Sequence, residues 1–341
     1  MNVRAVLRRL GDLAPVLTCL ALIVFFASAS PTFRTWDNVV NILQQNSVLA
    51  IMAVGVTFVL LCAEIDLSIA AVATFSGVLT AFLYVQVGTW FPGMPPVLRE
   101  TLPMLAVIPA TTALGLVNGF GTAWLGLPSF MITLAMWLIT QGLALSITKG
   151  TPIFEIPVVS ESLGTGTIGL IATMRPDGKE TFLLRIPHIF LVAVVVLAVG
   201  FVVLRYTRFG RAVYMVGGNS EAARLAGINV KAVRAACLTI CGFTAGLAGI
   251  LLIGRTSSAQ AEVPKDMLID CISAVVLGGT SLFGGKGGVA NTVVGLLTLG
   301  VLHNGLNHVK INMYIKESVG GIILLAALLL NVTMAKMKSA E

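Results

Sequence analysis

The stretch 101–148, TLPMLAVIPATTALGLVNGFGTAWLGLPSFMITLAMWLITQGLALSIT, contains no Asp, Glu, Lys or Arg in 48 residues. A helix needs about 20 apolar residues to cross the hydrocarbon core of a bilayer, so this stretch is long enough for two crossings. Gly and Pro recur between Gly121 and Pro128, and both residues favour turns over helix. The stretch therefore predicts two membrane-spanning helices joined near 121–128.

The whole chain shares this character. Of its 341 residues, 57% are hydrophobic and 11% are charged, whereas a typical soluble domain is about 25% charged. This composition excludes a soluble enzyme, a disordered scaffold, a coiled coil and a nucleic-acid reader. The net charge of +7 is then best explained by loops that face an anionic membrane surface.

Charge-free runs predict ten spans in an all-α polytopic membrane protein. The other eight runs are 13–33, 38–63, 67–98, 186–204, 235–254, 271–285, 287–309 and 318–335. Because ten is an even number, both termini are expected on the same side of the membrane. Basic residues near the two ends and at 205–211 predict that this side is the cytoplasm. The run 13–33 is long for a signal peptide, so we expect a retained first helix in a bacterial inner membrane.

Two connections are long enough to carry structure of their own within a single domain, 1–341. The segment 149–185 has four basic and four acidic residues, which suits a periplasmic loop that meets a soluble partner or a structured cap over the helices. The segment 206–230, YTRFGRAVYMVGGNSEAARLAGINV, begins with a basic cluster and is predicted to be cytoplasmic.

A short helix is predicted inside 206–230. The pair Gly217-Gly218 is expected to break the chain, and Asn219 or Ser220 can cap the helix that follows. Glu221 would lie in the first turn, where the helix dipole favours an anion, and Gly227 can take the left-handed conformation that ends a helix. About two turns of helix are unstable alone in water. The segment is therefore either a docking element for another protein or an idle surface turn.

Glu221-Ala222-Ala223 followed by Gly227 resembles the cytoplasmic coupling loop of ATP-binding-cassette (ABC) importer permeases. The resemblance is closest to the ribose/galactose/xylose-type permeases, and it extends from 64 to 307. The matching segments are GGNSEAARLAGINV (217–230), EIDLS (64–68), GLVNG (115–119), GLPSFMITL (126–134), LIDCISAVVLGGTSLFGGKGG (268–288) and HNGLN (303–307). Two departures are the missing Leu-Pro after Gly227 and Leu268 where relatives commonly carry Glu.

The resemblance implies the permease subunit of a monosaccharide or polyol importer. It implies a homo- or heterodimer of such subunits, two ATPase subunits inside and a periplasmic substrate-binding protein outside. The residues that it assigns to ATPase coupling are Gly218, Asn219, Glu221, Ala222, Ala223, Arg224 and Gly227.

No energy source of its own is predicted for this chain. Gly285-Lys286 imitates a phosphate-binding loop, but Thr280 occupies the place of the first glycine and Gly287 that of the Ser or Thr that holds magnesium. The spans also lack the chain of acids that a proton-driven pump needs. The chain is thus not expected to be an enzyme or to bind a cofactor, and ATP and magnesium are assigned to the partner ATPase.

An internal repeat is predicted, with halves 1–148 and 186–335. The segment 64–72 can be aligned with 268–276, so that Asp66 and Asp270 each begin a span rich in small residues, and Asn118 corresponds to Asn304. In a ten-span protein these spans run in opposite directions, which is typical of five-plus-five inverted repeats with the substrate path at their interface. A chance match is the alternative.

The repeat gives a candidate translocation path, formed by Asp66, Asn118, Asp270, Asn304 and Asn307. The two acids can instead cap the helices that they begin, which is the interpretation we favour. The asparagines can contact a hydroxyl-rich solute or bond neighbouring helices.

Two other functions remain open. A branched-chain amino-acid permease of the same superfamily would share the spans and the coupling loop, and a self-contained secondary transporter or channel would need no ATPase. The five cysteines lie in or beside apolar runs and lack the spacing of a zinc site or a disulfide framework. No metal site is predicted.

Overall fold

A computed structural model describes the backbone of residues 3–174, 180–309, 318–322, 325 and 329. Besides a helical stretch at 318–322, twelve helices occur in this part of the chain. They are α1 (Val3–Ala29), α2 (Trp36–Leu61), α3 (Ile69–Trp90), α4 (Pro96–Ala123), α5 (Ser129–Thr148), α6 (Val158–Thr165), α7 (His188–Tyr206), α8 (Arg208–Gly218), α9 (Ser220–Leu225), α10 (Val230–Thr256), α11 (Lys265–Leu277) and α12 (Val289–His308). A 3-10 turn at Pro31–Arg34 joins α1 to α2, and β1 (Thr167–Met174) pairs antiparallel with β2 (Glu180–Pro187).

Seven of the described helices are long and apolar enough to cross a membrane: α2, α3, α4, α5, α7, α10 and α12. The helix α1 adds a shorter apolar segment, Ala14–Ala29. The all-α polytopic class is therefore confirmed. The predicted count of ten and the inverted repeat are not established by the described residues, and most of the predicted tenth span, 318–335, lies outside them.

The predicted break near 121–128 agrees with the structure, because α4 ends at Ala123 and α5 begins at Ser129. The predicted eighth span, 271–285, does not form one helix, and this is a correction. Its helical part is α11, which has 13 residues and so covers about 20 Å of the roughly 30 Å hydrocarbon core. Beyond Gly278 the backbone turns, with Gly279 at φ +104° and Gly287 at φ +112°, a conformation that favours glycine over other residues.

The helix α10 lies at the centre of the core, against α2, α3, α4 and α6. Small residues allow this close packing. A Cβ on Gly242 would lie 2.5 Å from the Thr111 carbonyl oxygen of α4, so only glycine fits there. A Cβ on Gly249 would overlap the Ala73 carbonyl oxygen of α3. Close approach of helix backbones through small residues is common in membrane proteins.

The connections between the helices gather at two ends of the bundle. We call the first the α9 end; it contains 62–68, 124–128, 207–229 and 278–288, and it is held by bonds such as Ile65 N–H to Ser129 Oγ at 3.1 Å. We call the second the α6 end; its described residues are 30–35, 91–95, 149–174, 180–187 and 257–264. Here Ile153 and Ala259 form a backbone bridge. The predicted loop 149–185 thus carries α6 and most of the hairpin.

Candidate functional site

The helix α9 begins at a local cap. The side-chain oxygen of Asn219 accepts hydrogen bonds from the backbone N–H groups of Glu221 at 3.1 Å and of Ala222 at 3.0 Å. Asparagine is among the preferred residues at this position because it satisfies amides that have no partner within the helix. The chain breaks at Asn219, which is extended at φ −161°. The predicted break at Gly217-Gly218 is wrong, because α8 continues through both glycines.

The end of α9 is equally local. Gly227 takes φ +83°, and its N–H donates to the Arg224 carbonyl at 3.0 Å, while the Ile228 N–H donates to the Ala223 carbonyl at 3.0 Å. These two bonds form a Schellman motif, the common glycine-dependent ending of a helix. The predicted roles of Asn219 and Gly227 in shaping this helix therefore agree with the structure.

One side of α9 is packed and the other is presented to the surroundings. Ala223 is buried, whereas Leu225 is 76% exposed. Arg224 donates hydrogen bonds to both carboxylate oxygens of Glu221, from Nε at 3.1 Å and from Nη2 at 2.5 Å. These bonds and the positive charge of Arg224 hold the pKa of Glu221 below its usual range. At neutral pH the surface of α9 thus carries a fixed ion pair beside an apolar side chain.

The helix α8 connects α9 to the core through a close contact that we call the glycine junction, formed by Leu61, Gly217, Gly284 and Gly285. The Gly285 N–H donates to the Leu61 carbonyl at 3.0 Å, and a Cβ on Gly217 would overlap that same carbonyl oxygen. The Tyr214 hydroxyl of α8 also donates to the Gly287 carbonyl at 2.8 Å. The helix α8 therefore touches the last residue of α2 and the non-helical connection 278–288.

Asp66 and Asn118, two predicted path residues, meet at the start of α3 and are buried there. Asp66 Oδ1 accepts from the Ser68 N–H at 2.8 Å and from the Ser68 hydroxyl at 2.6 Å. Asn118 Nδ2 donates to the same hydroxyl oxygen at 3.1 Å. These contacts order the backbone that leads into α3, and a contact of either residue with substrate stays a prediction.

A partly buried ion pair lies next to them, with 32% of the Arg234 side chain and 11% of the Glu64 side chain exposed, and no pattern in the sequence indicated it. Glu64 is buried, and its Oε1 lies 3.0 Å from Arg234 Nε in the first turns of α10. The two residues are separated by 170 positions in the chain. The sequence shows an acid in the EIDLS segment, but no residue near Glu64 in the chain identifies Arg234 as its partner.

Asn304, another predicted path residue, is buried against α2. It exchanges two amide hydrogen bonds with Asn38, both at 2.9 Å, and Asn38 Oδ1 also lies 2.9 Å from His308 Nε2. This pair joins α2 to α12 across 266 positions. A side-chain bond between helices was one of the two interpretations that the sequence left open for Asn304.

We expect Asn304→Ala and Asn38→Ala each to lower the melting temperature of the purified protein. Each variant removes both hydrogen bonds of the buried amide pair, at a cost of about 1–3 kcal/mol. The cost should be larger for Asn38→Ala, because Asn38 is also bonded to the Phe33 carbonyl and to His308. The double variant should cost less than the sum of the two single variants, because both remove the same pair of bonds. Thermal unfolding in detergent measures this. Equal and additive losses would contradict the pairing.

The last two predicted path residues lie on a partly exposed face. The favoured interpretation that Asp270 caps the helix that it begins is wrong, because α11 already begins at Lys265. Asp270 Oδ2 of α11 lies 3.4 Å from His303 Nδ1 of α12, with 22% and 45% of the two side chains exposed. Asn307 follows one turn later and is exposed. The structure therefore does not gather the five predicted residues into one site. Asp66 and Asn118 are together, Asn304 is elsewhere, and Asp270 is paired with a histidine that the prediction did not include.

The described residues contain no group of three or more His, Cys, Asp or Glu side chains arranged to hold a metal ion. The cysteines Cys62 and Cys237 approach to 3.2 Å between their sulfur atoms, and both are buried.

Comparison with known proteins gives one family and several close relatives. A family model described as the permease component of branched-chain amino acid transport systems matches residues 38–328. The ribose import permease protein RbsC of Escherichia coli (strain K12) is 36% identical over 317 residues, which cover 93% of this chain and 92% of that protein. RbsC of Bacillus subtilis (strain 168) is 35% identical over 327 residues, covering 96% and 93%.

A third relative is named for a different sugar. The xylose transport system permease protein XylH of Escherichia coli (strain K12) is 30% identical over 355 residues, covering 90% of this chain and 88% of that protein. No solved structure matches the chain significantly.

Proposed function

The chain belongs to the family of branched-chain amino acid transport system permease components, and from this we propose that it is the membrane-spanning subunit of an ABC importer for a monosaccharide or related polyol. The observation that carries the substrate class is its likeness to ribose permeases, at 36% identity over 93% of the chain. The family description names branched-chain amino acids, but the relatives cited above are named for ribose and xylose. The amino-acid alternative is therefore not favoured.

In this proposal the α9 end faces the cytoplasm and the α6 end faces the periplasm. The exposed side of α9 docks into an ATPase subunit, which holds ATP and magnesium, and a substrate-binding protein meets the α6 end. Both chain termini are placed in the cytoplasm, and a second permease copy, identical or related, completes the membrane part. The cluster of Arg205, at the end of α7, and Arg208 and Arg211, in α8, supports this orientation.

Coupling would pass through α8. When the two ATPase subunits close on ATP, the coupling helices are drawn together, and α8 moves with α9 because only Asn219 separates them. The contacts of Gly217 and Tyr214 then transmit this motion to the end of α2 and to the connection before α12. Substrate passes without any bond being made or broken. The chain therefore has no catalytic residue in this mechanism.

The experiment that tests this proposal is co-purification in mild detergent from native membranes. The wild-type chain should recover a stoichiometric ATPase, identified by mass spectrometry, and Glu221→Lys should lose it. The lysine would place a cation at the N-terminus of α9, where the helix dipole is unfavourable, and would repel Arg224. A matched control is Glu161→Lys, the same change in the first turn of α6 at the opposite end, which should keep the ATPase.

Uptake assays separate the functional classes. Uptake of labelled ribose or xylose, and not of leucine, supports the sugar importer. Leucine uptake would establish the amino-acid alternative. Full transport by Glu221→Lys, or recovery of the wild-type chain without any ATPase in several detergents, would instead indicate a self-contained transporter.

A further inference from the structure

The helices α11 and α12 share a polar, partly exposed face that the core does not use. We call it the α11–α12 face and define it by Ile269, Asp270, His303 and Asn307. Ile269 is 61% exposed, and Asp270 and His303 form the partly exposed pair described above. Both members of the pair lie five residues inside the helix end nearest the α6 end, which is about 8 Å along the helix axis.

Contact with lipid hydrocarbon would be energetically unfavourable for this face. Ionisable side chains within membrane segments almost always face a bundle interior or a water-filled cavity, because hydrocarbon cannot solvate them. The outward faces of α5 and α7 show the contrast. They expose large apolar residues such as Leu138 and Val195. The α11–α12 face differs from these surfaces in carrying a carboxylate and an imidazole side by side.

We propose that the α11–α12 face lines the water-filled part of the translocation path near the α6 end, and that the Asp270–His303 pair there binds hydroxyl groups of the passing sugar. This inference rests on the proposed function. It adds His303 to the path and assigns the pair a ligand chemistry, a neutral polyhydroxylated solute.

The chemistry of the pair suits such a ligand. A carboxylate accepts hydrogen bonds only, whereas an imidazole nitrogen can donate or accept, and each sugar hydroxyl can do both. Two adjacent hydroxyls can therefore bond Asp270 and His303 at the same time, because Asp270 Oδ2 and His303 Nδ1 lie only 3.4 Å apart. A single pair at the edge of the path also binds weakly enough for release, which transport requires.

The first test is the accessibility of introduced thiols to a charged, membrane-impermeant methanethiosulfonate in the assembled complex. Ile269→Cys is compared with Val195→Cys on α7, because both side chains are 61% exposed in the isolated chain. The five native cysteines are buried and keep the background low. Ile269→Cys should react at least about tenfold faster, since a thiol in hydrocarbon stays protonated and out of reach of an ion. Ribose at about 100 mM should slow the reaction of Ile269→Cys.

Equal rates for the two thiols would overturn the proposal, because they would place the α11–α12 face in lipid or in a dry contact. This test does not depend on transport. Its failure is therefore distinguishable from failure of the proposed function, which is read from ATPase recovery and sugar uptake.

The second test measures the rate of ribose transport into vesicles that contain the full complex, and it compares each variant with wild type. Asp270→Asn and His303→Gln should each lower the maximal rate about tenfold, the scale of one lost hydrogen bond to a charged group, while the ATPase still co-purifies. The control is Asp37→Asn, which removes another acid at the α6 end that pairs with Arg185, and it should stay within about twofold of wild type. Unchanged rates in both pair variants would overturn the hydroxyl-binding role.

Discussion

Gly217→Ala is expected to reduce sugar uptake to less than about a tenth of the wild-type rate, a loss typical of forcing extra atoms into a packed contact. A Cβ on Gly217 would overlap the Leu61 carbonyl oxygen and would lie 2.8 Å from the Gly285 backbone nitrogen. Both neighbours are backbone atoms, so no flexible side chain can move aside. The change must therefore separate α8 from the end of α2 and from the connection that precedes α12.

Gly218→Ala is the matched control. It lies one residue further along α8, and its added Cβ meets no atom within 4 Å. Alanine is favoured over glycine in helices by about 0.8–1.0 kcal/mol, so this variant should melt no lower than wild type. It should also transport normally, which would remove Gly218 from the residues that the resemblance assigns to ATPase coupling. Uptake, ATPase activity and melting temperature are measured together. If Gly217→Ala transports as well as Gly218→Ala, the glycine junction does not carry the coupling.

Assembly and coupling can be separated in the same experiment. Gly217 is not on the exposed side of α9, so the Gly217→Ala complex should still recover its ATPase. We expect ATP hydrolysis that no longer responds to sugar-loaded binding protein. Loss of the ATPase from this variant would mean that the junction holds α9 in place and does not transmit its motion.

The second large effect is expected from Arg234→Gln, which removes the cation from buried Glu64. Breaking one side of a buried ion pair costs about 3–5 kcal/mol because the remaining charge is uncompensated. The melting temperature of the purified complex should fall by at least about 5 °C, and less protein should accumulate in the membrane. Glu64 is 8% exposed, so water can relieve little of this cost.

The double variant Glu64→Gln/Arg234→Gln distinguishes a charge effect from a loss of packing. Two neutral amides of similar shape leave no buried charge, so the double variant should recover most of the lost stability. A strictly additive loss would show that the two side chains act independently. The exposed pair Glu221–Arg224 offers a comparison, and neutralising both of its members should not change the melting temperature measurably.

The parts of the structure that the sequence predicts best depend on neighbouring residues. The start and end of α9 follow from Asn219 and Gly227 within nine positions, because caps are made by groups close in the chain. The turn between α4 and α5 follows from the Gly and Pro residues at 121–128 in the same way. Apolar runs predict the long helices because crossing a bilayer requires a minimum length.

What the sequence does not predict depends on distant partners. Glu64 and Arg234, Asn38 and Asn304, and Asp270 and His303 meet only after the helices have packed. Hydropathy also did not identify the short α11, because an apolar run extends past Leu277 without showing that glycines turn the backbone there. For this reason the five predicted path residues include both buried hydrogen-bonding groups (Asp66, Asn118 and Asn304) and two more exposed residues, Asp270 and Asn307.

The short helix α11 has a consequence for biosynthesis. The helices α10 and α12 both run from the α9 end to the α6 end, so the chain between them must return across the bilayer as it is inserted. An inserting segment is recognised mainly by hydropathy over about 20 residues, and α11 offers 13 with two acids among them. In the proposed orientation the turn before α12 is cytoplasmic, and the charge of Lys286 in it favours that side. We therefore expect the direction of α12 to depend on this basic residue more than on the apolar length of the helix before it, so that Lys286→Glu should lower the amount of correctly inserted protein.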